Sequence, residues 1–304
     1  MPNFETALSP ALSGVYIPQI WAQKLIMELN PRLFLSYIAN TDYEGEIKNA
    51  GDVVKIRRVP NVAVHNYIDR EEELEVDEIE GPAVVDLKID KGKYYAFNID
   101  DVERAQSDID FGSKAMEEAA KNLNEKIEED FIVGIRTGAA DANMGATAGA
   151  KSQSYNIGSV EAPLALTPDN ALDFVINCGS VLDEQNVPED GRWMVIPPAV
   201  ANRIKKSEIK EVYVTGDAKS SLRTGNIGRI DRFDIFVSNM IVPESGKLRP
   251  FFGHKAAVTF ANQLVKNEVV TREKHFGKVH RGLCVYGYEV ILPEAFGVGC
   301  VTLG

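Results

Sequence analysis

Cysteine and histidine are scarce in this sequence, and no apolar run reaches the roughly 20 residues that a membrane-spanning helix needs. The three cysteines (Cys178, Cys284, Cys300) are odd in number and irregularly spaced. That spacing excludes a disulfide framework or a cysteine-built zinc site and fits buried thiols in a reducing compartment. Only four histidines occur (His65, His254, His275, His280), and the nearest pair, five residues apart, shares neither a helix face nor a strand face. No metal or cofactor is expected. The opening residues Met1-Pro2-Asn3-Phe4-Glu5-Thr6 lack the basic and apolar stretches of a signal peptide, and no Asn-x-Ser/Thr acceptor is present. There is no dinucleotide-binding glycine fingerprint, phosphate loop, H-E-x-x-H or G-x-S-x-G. Basic residues are outnumbered, 33 against 45 acids, for a formal net charge of -12. An acidic chain lacks the cationic stripe by which nucleic-acid binders displace counterions.

What is present is ordinary globular material, 44% hydrophobic and 26% charged over 304 residues, enough for a sizeable core. Residues 17–29 can form a short helix, with Trp21, Leu25 and Leu29 on one face and Pro31 stopping it. A segment this small needs another surface, its own domain or a neighbour. A strand is expected over 53–59, with a return strand over 85–90 that alternates apolar and charged residues. Between them, residues 69–80 hold eight acids (Asp69, Glu71, Glu72, Glu73, Glu75, Asp77, Glu78, Glu80) against one base, Arg70. The pattern predicts a β-hairpin extended by an acidic tip. A two-stranded ribbon is marginal alone in water, so it is expected to lean on another surface.

Residues 111–137 predict one long helix. Met116, Ala119, Leu123, Ile127 and Phe131 recur at 3- and 4-residue spacing, and its length would be about 40 Å. The Gly-, Ala- and Ser-rich residues 138–166 read as a linker or mobile loop and mark a domain boundary. An α/β unit is expected from 167 to 245, with Thr167 as N-cap, Pro168 opening a helix, and a buried strand at Trp193-Met194-Val195-Ile196. A helix over 199–209 carries Arg203, Lys205, Lys206 and Lys210, which suit a phosphate, solvent or a neighbour's acidic loop. Gly225-Asn226-Ile227-Gly228-Arg229 reads as a strand entry before an anion cradle. Residues 250–304 return to β character, with a long strand over 282–292 that has room for a bulge. Between 266 and 281, five bases (Lys266, Arg272, Lys274, Lys278, Arg281) face two acids, Glu268 and Glu273. Asp100-Asp101 is an acidic pair suited to acid/base work or, more simply, to a turn or helix cap.

Several strings, in this order, resemble the major capsid protein of tailed bacteriophages, which has the HK97-like fold. They are Asn40-Thr41-Asp42-Tyr43-Glu44-Gly45 leading to Gly51-Asp52-Val53-Val54-Lys55-Ile56; Lys93-Tyr94-Tyr95-Ala96-Phe97-Asn98-Ile99-Asp100-Asp101-Val102 before the long helix; Arg192-Trp193-Met194-Val195-Ile196-Pro197-Pro198; residues 225–239; and His254-Lys255-Ala256-Ala257 running on to Tyr286-Gly287-Tyr288-Glu289-Val290. The resemblance covers roughly 15–300. Asp231 departs from it, standing where a glycine would be expected.

The resemblance implies an α+β chain in five parts. These are an N-terminal arm (1–45), an extended hairpin or E-loop (46–98), a P-domain with its spine helix and linker (99–166), an A-domain (167–245), and return strands completing the P-domain (246–304). It implies a structural protein without catalytic residues, forming hexamers and pentamers of an icosahedral virion shell around double-stranded DNA touched non-specifically. Partners would be further copies, a separate scaffolding protein, a portal and a decoration protein, with no membrane. No fused scaffolding region is expected, because the arm starts near Met1. The acidic tip is expected to meet a basic surface of the next subunit, from 203–210 or 266–281. Some relatives cross-link through a Lys–Asn isopeptide bond. Lys55, Lys88, Lys91, Lys93, Asn267 and Glu268 match no motif for that, so an unlinked shell is expected. Two other readings are the shell protein of an encapsulin-like bacterial compartment, and a cytosolic enzyme using convergent carboxylates such as Asp100 and Asp101.

Overall fold

The computed structural model describes residues 33–42, 53–58, 83–99, 111–215, 228–271 and 278–303. The 17–29 helix, the acidic segment 69–80 and Asp100-Asp101 lie outside them. A four-residue helix, α1 (Leu35–Ile38), opens the described chain. Strands β1 (Val53–Arg58) and β2 (Ala83–Lys88) pair antiparallel, with Val53 opposite Lys88 and Arg58 opposite Ala83. Then come β3 (Lys91–Ile99) and the long helix α2 (Phe111–Ile135). The α/β unit holds β4 (Leu164–Leu166), α3 (Ala171–Glu184), β5 (Arg192–Ile196), α4 (Pro198–Thr215), β6 (Arg229–Ile230) and β7 (Phe233–Val237). The return supplies β8 (Phe251–His254), β9 (Val258–Thr271), β10 (Lys278–Val290), β11 (Phe296–Val298) and β12 (Val301–Leu303).

Two larger sheets, together with two strand pairs, β1-β2 and β4-β12, organise these strands. One has five strands in the order β11-β8-β5-β7-β6, the other three in the order β3-β10-β9. Every residue of β5 is buried, as its unbroken apolar run requires when layers cover both faces. β5 pairs parallel with β7 and antiparallel with β8, so the return segment supplies two of the five strands of the sheet begun within 167–245. Trp193, Phe251 and Phe296 meet there, with ring centroids 5.9 to 6.5 Å apart.

The three-stranded sheet is covered differently on its two faces. On one, β10 lies under α2: the Tyr288 hydroxyl donates to the Asp130 carbonyl at 3.0 Å, and the Tyr286 hydroxyl donates to the Asp130 carboxylate at 3.0 Å. Helix and strand approach this closely because Gly134 carries no side chain. A Cβ there would stand 1.9 Å from the Tyr288 hydroxyl. On the other face, the foot of the β1–β2 hairpin closes a small separate core of Val54, Ile56, Leu87, Ile89, Ala261, Val285 and Ile291.

Four details differ from the sequence reading. Residues 138–166 are not a linker. Isolated bridges join Ala148 to Tyr155 and Gly145 to Gly158, and Ala148 and Ile157 are fully buried. The segment holds itself through backbone pairing and through Asn143, whose amide donates to the carbonyls of Glu294 and Phe296. Side-chain periodicity reports none of this. Helix α3 begins at Ala171, not at Pro168, because Asn170 accepts from the Thr167 amide at 2.7 Å and shapes a preceding turn. The extra residue of the bulge is Val265 in β9, since Leu283 faces Lys266 while Cys284 faces Leu264. Asp231 adopts φ +53, the left-handed turn conformation for which glycine was expected and which aspartate tolerates.

Candidate inter-subunit surfaces

The hairpin foot is fixed by close backbone approach. A Cβ on Gly287 of β10 would stand 2.1 Å from the carbonyl oxygen of Lys88, at the end of β2. Arg58, at the far end of β1, pairs with Glu294 at 3.2 Å. The described structure thus anchors both strands of the foot; residues 59–82 lie outside the described residues. Towards the tips of β3, β9 and β10 the hairpin-side face is bare: Tyr94 is 77% exposed, and Val270 and Leu283 are also exposed. Tyr94 stands opposite Leu283 in the register. The same face also carries the charged cluster Lys266, Glu268 and Arg281, with Lys266 opposite Leu283 and Arg281 opposite Glu268 in the register.

The basic candidates divide into groups. Lys266 and Arg281 are already engaged by Glu268 within the chain; Lys266 lies 3.1 Å from its carboxylate and Arg281 is hydrogen-bonded to it. These two cations hold the Glu268 carboxyl below its ordinary range, chiefly through the hydrogen bond from Lys266 and then that from Arg281. Lys278 is exposed at the start of β10. Arg203, Lys205 and Lys206 lie on α4; Lys206 is exposed and the other two half-buried. Lys210 belongs to the same helix, and Arg272 and Lys274 lie outside the described residues.

The described residues contain no group of three His, Cys, Asp or Glu side chains placed to hold a metal. The His254 Nδ1 accepts from the Ala256 amide at 3.1 Å, so Nε2 carries the proton and donates to the Asp190 carbonyl at 2.9 Å. That histidine closes a turn. His280 stacks on Phe97 at 5.3 Å. All three cysteines are buried, and burial raises the Cys178 and Cys300 thiols above their ordinary range. A cleft of about 390 Å³ is lined by Asp141, Met144, Val160, Arg249, Val298 and Cys300 among others, with no histidine. Asn267 accepts from the Tyr95 hydroxyl at 3.4 Å, beside the ion-paired Glu268.

Sequence reasoning missed three polar anchors. Arg192, whose side chain is fully buried, donates to the carbonyls of Pro188 at 2.8 Å, Gly179 at 3.3 Å and Val187 at 2.5 Å, and pairs with Asp183 at 2.8 Å. Asp183 also holds Arg232 at 2.7 Å. Glu128 on α2 accepts from two backbone amides next to α1. The only advance signal for these was a charge inside an apolar run, as in Arg192 before Trp193.

No family model matches the sequence, and no curated protein matches it at the level of sequence. Solved structures do match. A structure of Mycobacterium phage Che8 superposes with TM-score 0.74 and 24% identity, over 94% of this chain and 97% of that one. The capsid of Cyanophage P-SCSP1u gives 0.69 and 14% identity, over 95% and 94% of the two chains. The capsid of an empty GTA particle gives 0.70 and 14% identity, over 99% and 100%. The chain therefore has the α+β, HK97-like fold of these capsids from end to end.

Proposed function

We propose that this chain is the major capsid protein of a tailed bacteriophage, self-assembling as hexamers and pentamers into an icosahedral virion shell around double-stranded DNA. The supporting observation is the near-complete overlap, in both directions, with phage and GTA capsid structures. A partial overlap would suit a shared module; an overlap of 94% and 97% suits a shared architecture. Fold alone does not determine function, so local features must agree. The exposed Tyr94, Val270 and Leu283 on the hairpin-side face would gain buried area on meeting another copy. In this reading residues 1–45 are the arm, 46–98 the E-loop, 99–166 the P-domain with its spine helix, 167–245 the A-domain and 246–304 the return. The protein is structural; a scaffolding protein, a portal and a decoration protein are its further partners, in the host cytoplasm during assembly and in the virion afterwards.

The test is the mass and shape of the purified protein by light scattering and negative-stain microscopy, made with its neighbouring gene products present. Closed shells of megadalton mass containing DNA are expected. Shells containing a protein cargo and no DNA would assign it to a bacterial compartment instead. A persistent small oligomer would overturn the shell reading.

Within this reading the acidic tip meets a basic surface of the next subunit, giving a contact weak enough to correct and sensitive to salt. Reversing Glu71, Glu72 and Glu73 to lysine is expected to cost several kcal/mol per interface and to reduce particle yield to background. Sedimentation through a sucrose gradient reads this directly. Normal shells from the triple variant would remove the pairing.

A further inference from the structure

Glu128 is 3% exposed and sits on the buried side of α2 beside Ile127. Its Oε1 accepts from the backbone amides of Phe34 at 2.9 Å and Leu35 at 2.8 Å. These amides open α1, which has no side-chain cap of its own. The other oxygen, Oε2, is buried and has no hydrogen-bond partner among the described residues. A carboxylate in that position is costly, because one oxygen has lost its water and gained nothing.

No cation offsets this among the described neighbours. Residues 33–41 carry no charge; the first charged group there is Asp42. From β8 and β9 the packed side chains are Phe251 against Phe34 and Phe260 against Phe131. On α2, Lys126 is taken by Glu129 at 2.6 Å, the Asp130 carboxylate takes the Tyr286 hydroxyl from β10, and Glu125 and the exposed Lys121 complete the helix's nearby charges. Arg32 lies outside the described residues. Burial pushes the Glu128 carboxyl up to about 7, with the two amides pulling it part of the way back.

We propose that Glu128 is a proton-operated latch between the N-terminal segment and the long helix: the neutral carboxyl holds Phe34 and Leu35 in place, and its ionisation loosens them. The closed form binds the proton more tightly than the opened form, whose carboxyl returns to its ordinary value near 4.5. Closure is therefore fully favoured below pH 4.5 and weakens as pH rises through about 7. Between pH 6 and pH 8 the opening equilibrium should grow about tenfold. The latch holds the described residues around Phe34 and Leu35 against the long helix, and it stands whether or not the protein forms a shell.

Hydrogen exchange of the full-length chain at pH 6 to 8, corrected for intrinsic chemical rates, tests it. Glu128→Gln keeps an acceptor for both amides and cannot ionise. Opening at residues 34–39 should rise about tenfold in the wild type and stay level in the glutamine variant, while β5 and β8 stay level in both. An equal rise in both proteins would overturn the latch. So would a rise in β5 and β8 by the same factor, which would mean a global change in stability. Should the variant not fold, the wild-type comparison of 34–39 with β5 decides the matter alone.

Discussion

Replacing Gly287 with alanine is expected to give a folded subunit that no longer assembles. The new methyl group would stand 2.1 Å from the Lys88 carbonyl oxygen and 2.9 Å from the Ile89 side chain. Neither contact can exist, and the first is with backbone, which has no rotamer to escape into. β2 must therefore lift from β10, opening the small core of Val54, Ile56, Leu87, Ile89, Ala261, Val285 and Ile291. The large core, with Trp193, Phe251 and Phe296, is built elsewhere and stays intact. Stability should fall by about 2 kcal/mol, in the range of a modest overpacking change. Under the shell reading the effect on assembly is far larger, because a small tilt at the foot displaces everything the hairpin carries. Circular dichroism would show the retained fold, and sedimentation velocity the absence of particles. Particles at normal yield would show that the hairpin's angle does not matter.

The second large effect is on stability. Arg192→Ala removes the donor for three carbonyls, two of them in buried bonds, and one of the two cations on Asp183. Breaking one side of a buried pair costs about 3–5 kcal/mol. Asp183 retains Arg232, so the unpaired charge is softened, but the carbonyls of Pro188, Gly179 and Val187 have no replacement donor among the bonds described. A fall in melting temperature on the order of 10 °C is expected in a thermal scan. Arg232→Ala is the informative comparison. Its side chain is partly exposed and its pairs are screened by water, so its loss should cost about 1 kcal/mol or less. Equal effects from the two substitutions would mean that Arg192 acts through charge alone rather than through its carbonyls.

Much of the architecture was legible because it rests on short-range periodicity. The apolar alternation over 85–89, the 3- and 4-residue rhythm from Met116 to Phe131 and the unbroken run Trp193-Met194-Val195-Ile196 each translate directly into a strand, a helix or a buried strand. The order of those elements then carried the resemblance that the structural overlap supports. What was illegible depends on partners far apart in sequence. Nothing near Gly287 announces Lys88, and nothing near Glu128 announces Phe34. Residues 138–166 look like a linker because glycine and alanine carry no periodic signal, although backbone bridges and Asn143 lock them in place. For the inter-subunit surfaces, composition identified charge but not its employment: Lys266 and Arg281 look available in sequence and are engaged by Glu268 in three dimensions.

The order of strands in the five-stranded sheet also sets a timetable. β5 lies between β7, which is synthesised soon after it, and β8, which comes after a further stretch of chain, while β11 is nearly the last strand made. The short pair β4 and β12 joins residues 164–166 to residues 301–303. A ribosome-bound chain therefore carries an open, apolar strand edge on β5 until β8 has emerged, and then an open edge on β8 until β11 has followed. Such an edge invites pairing with the wrong chain. Native pairing of β11 with β8 thus comes about a hundred residues after β5 is made, so in a crowded translating cell a nascent chain that stops short of Val298 cannot yet have a finished sheet.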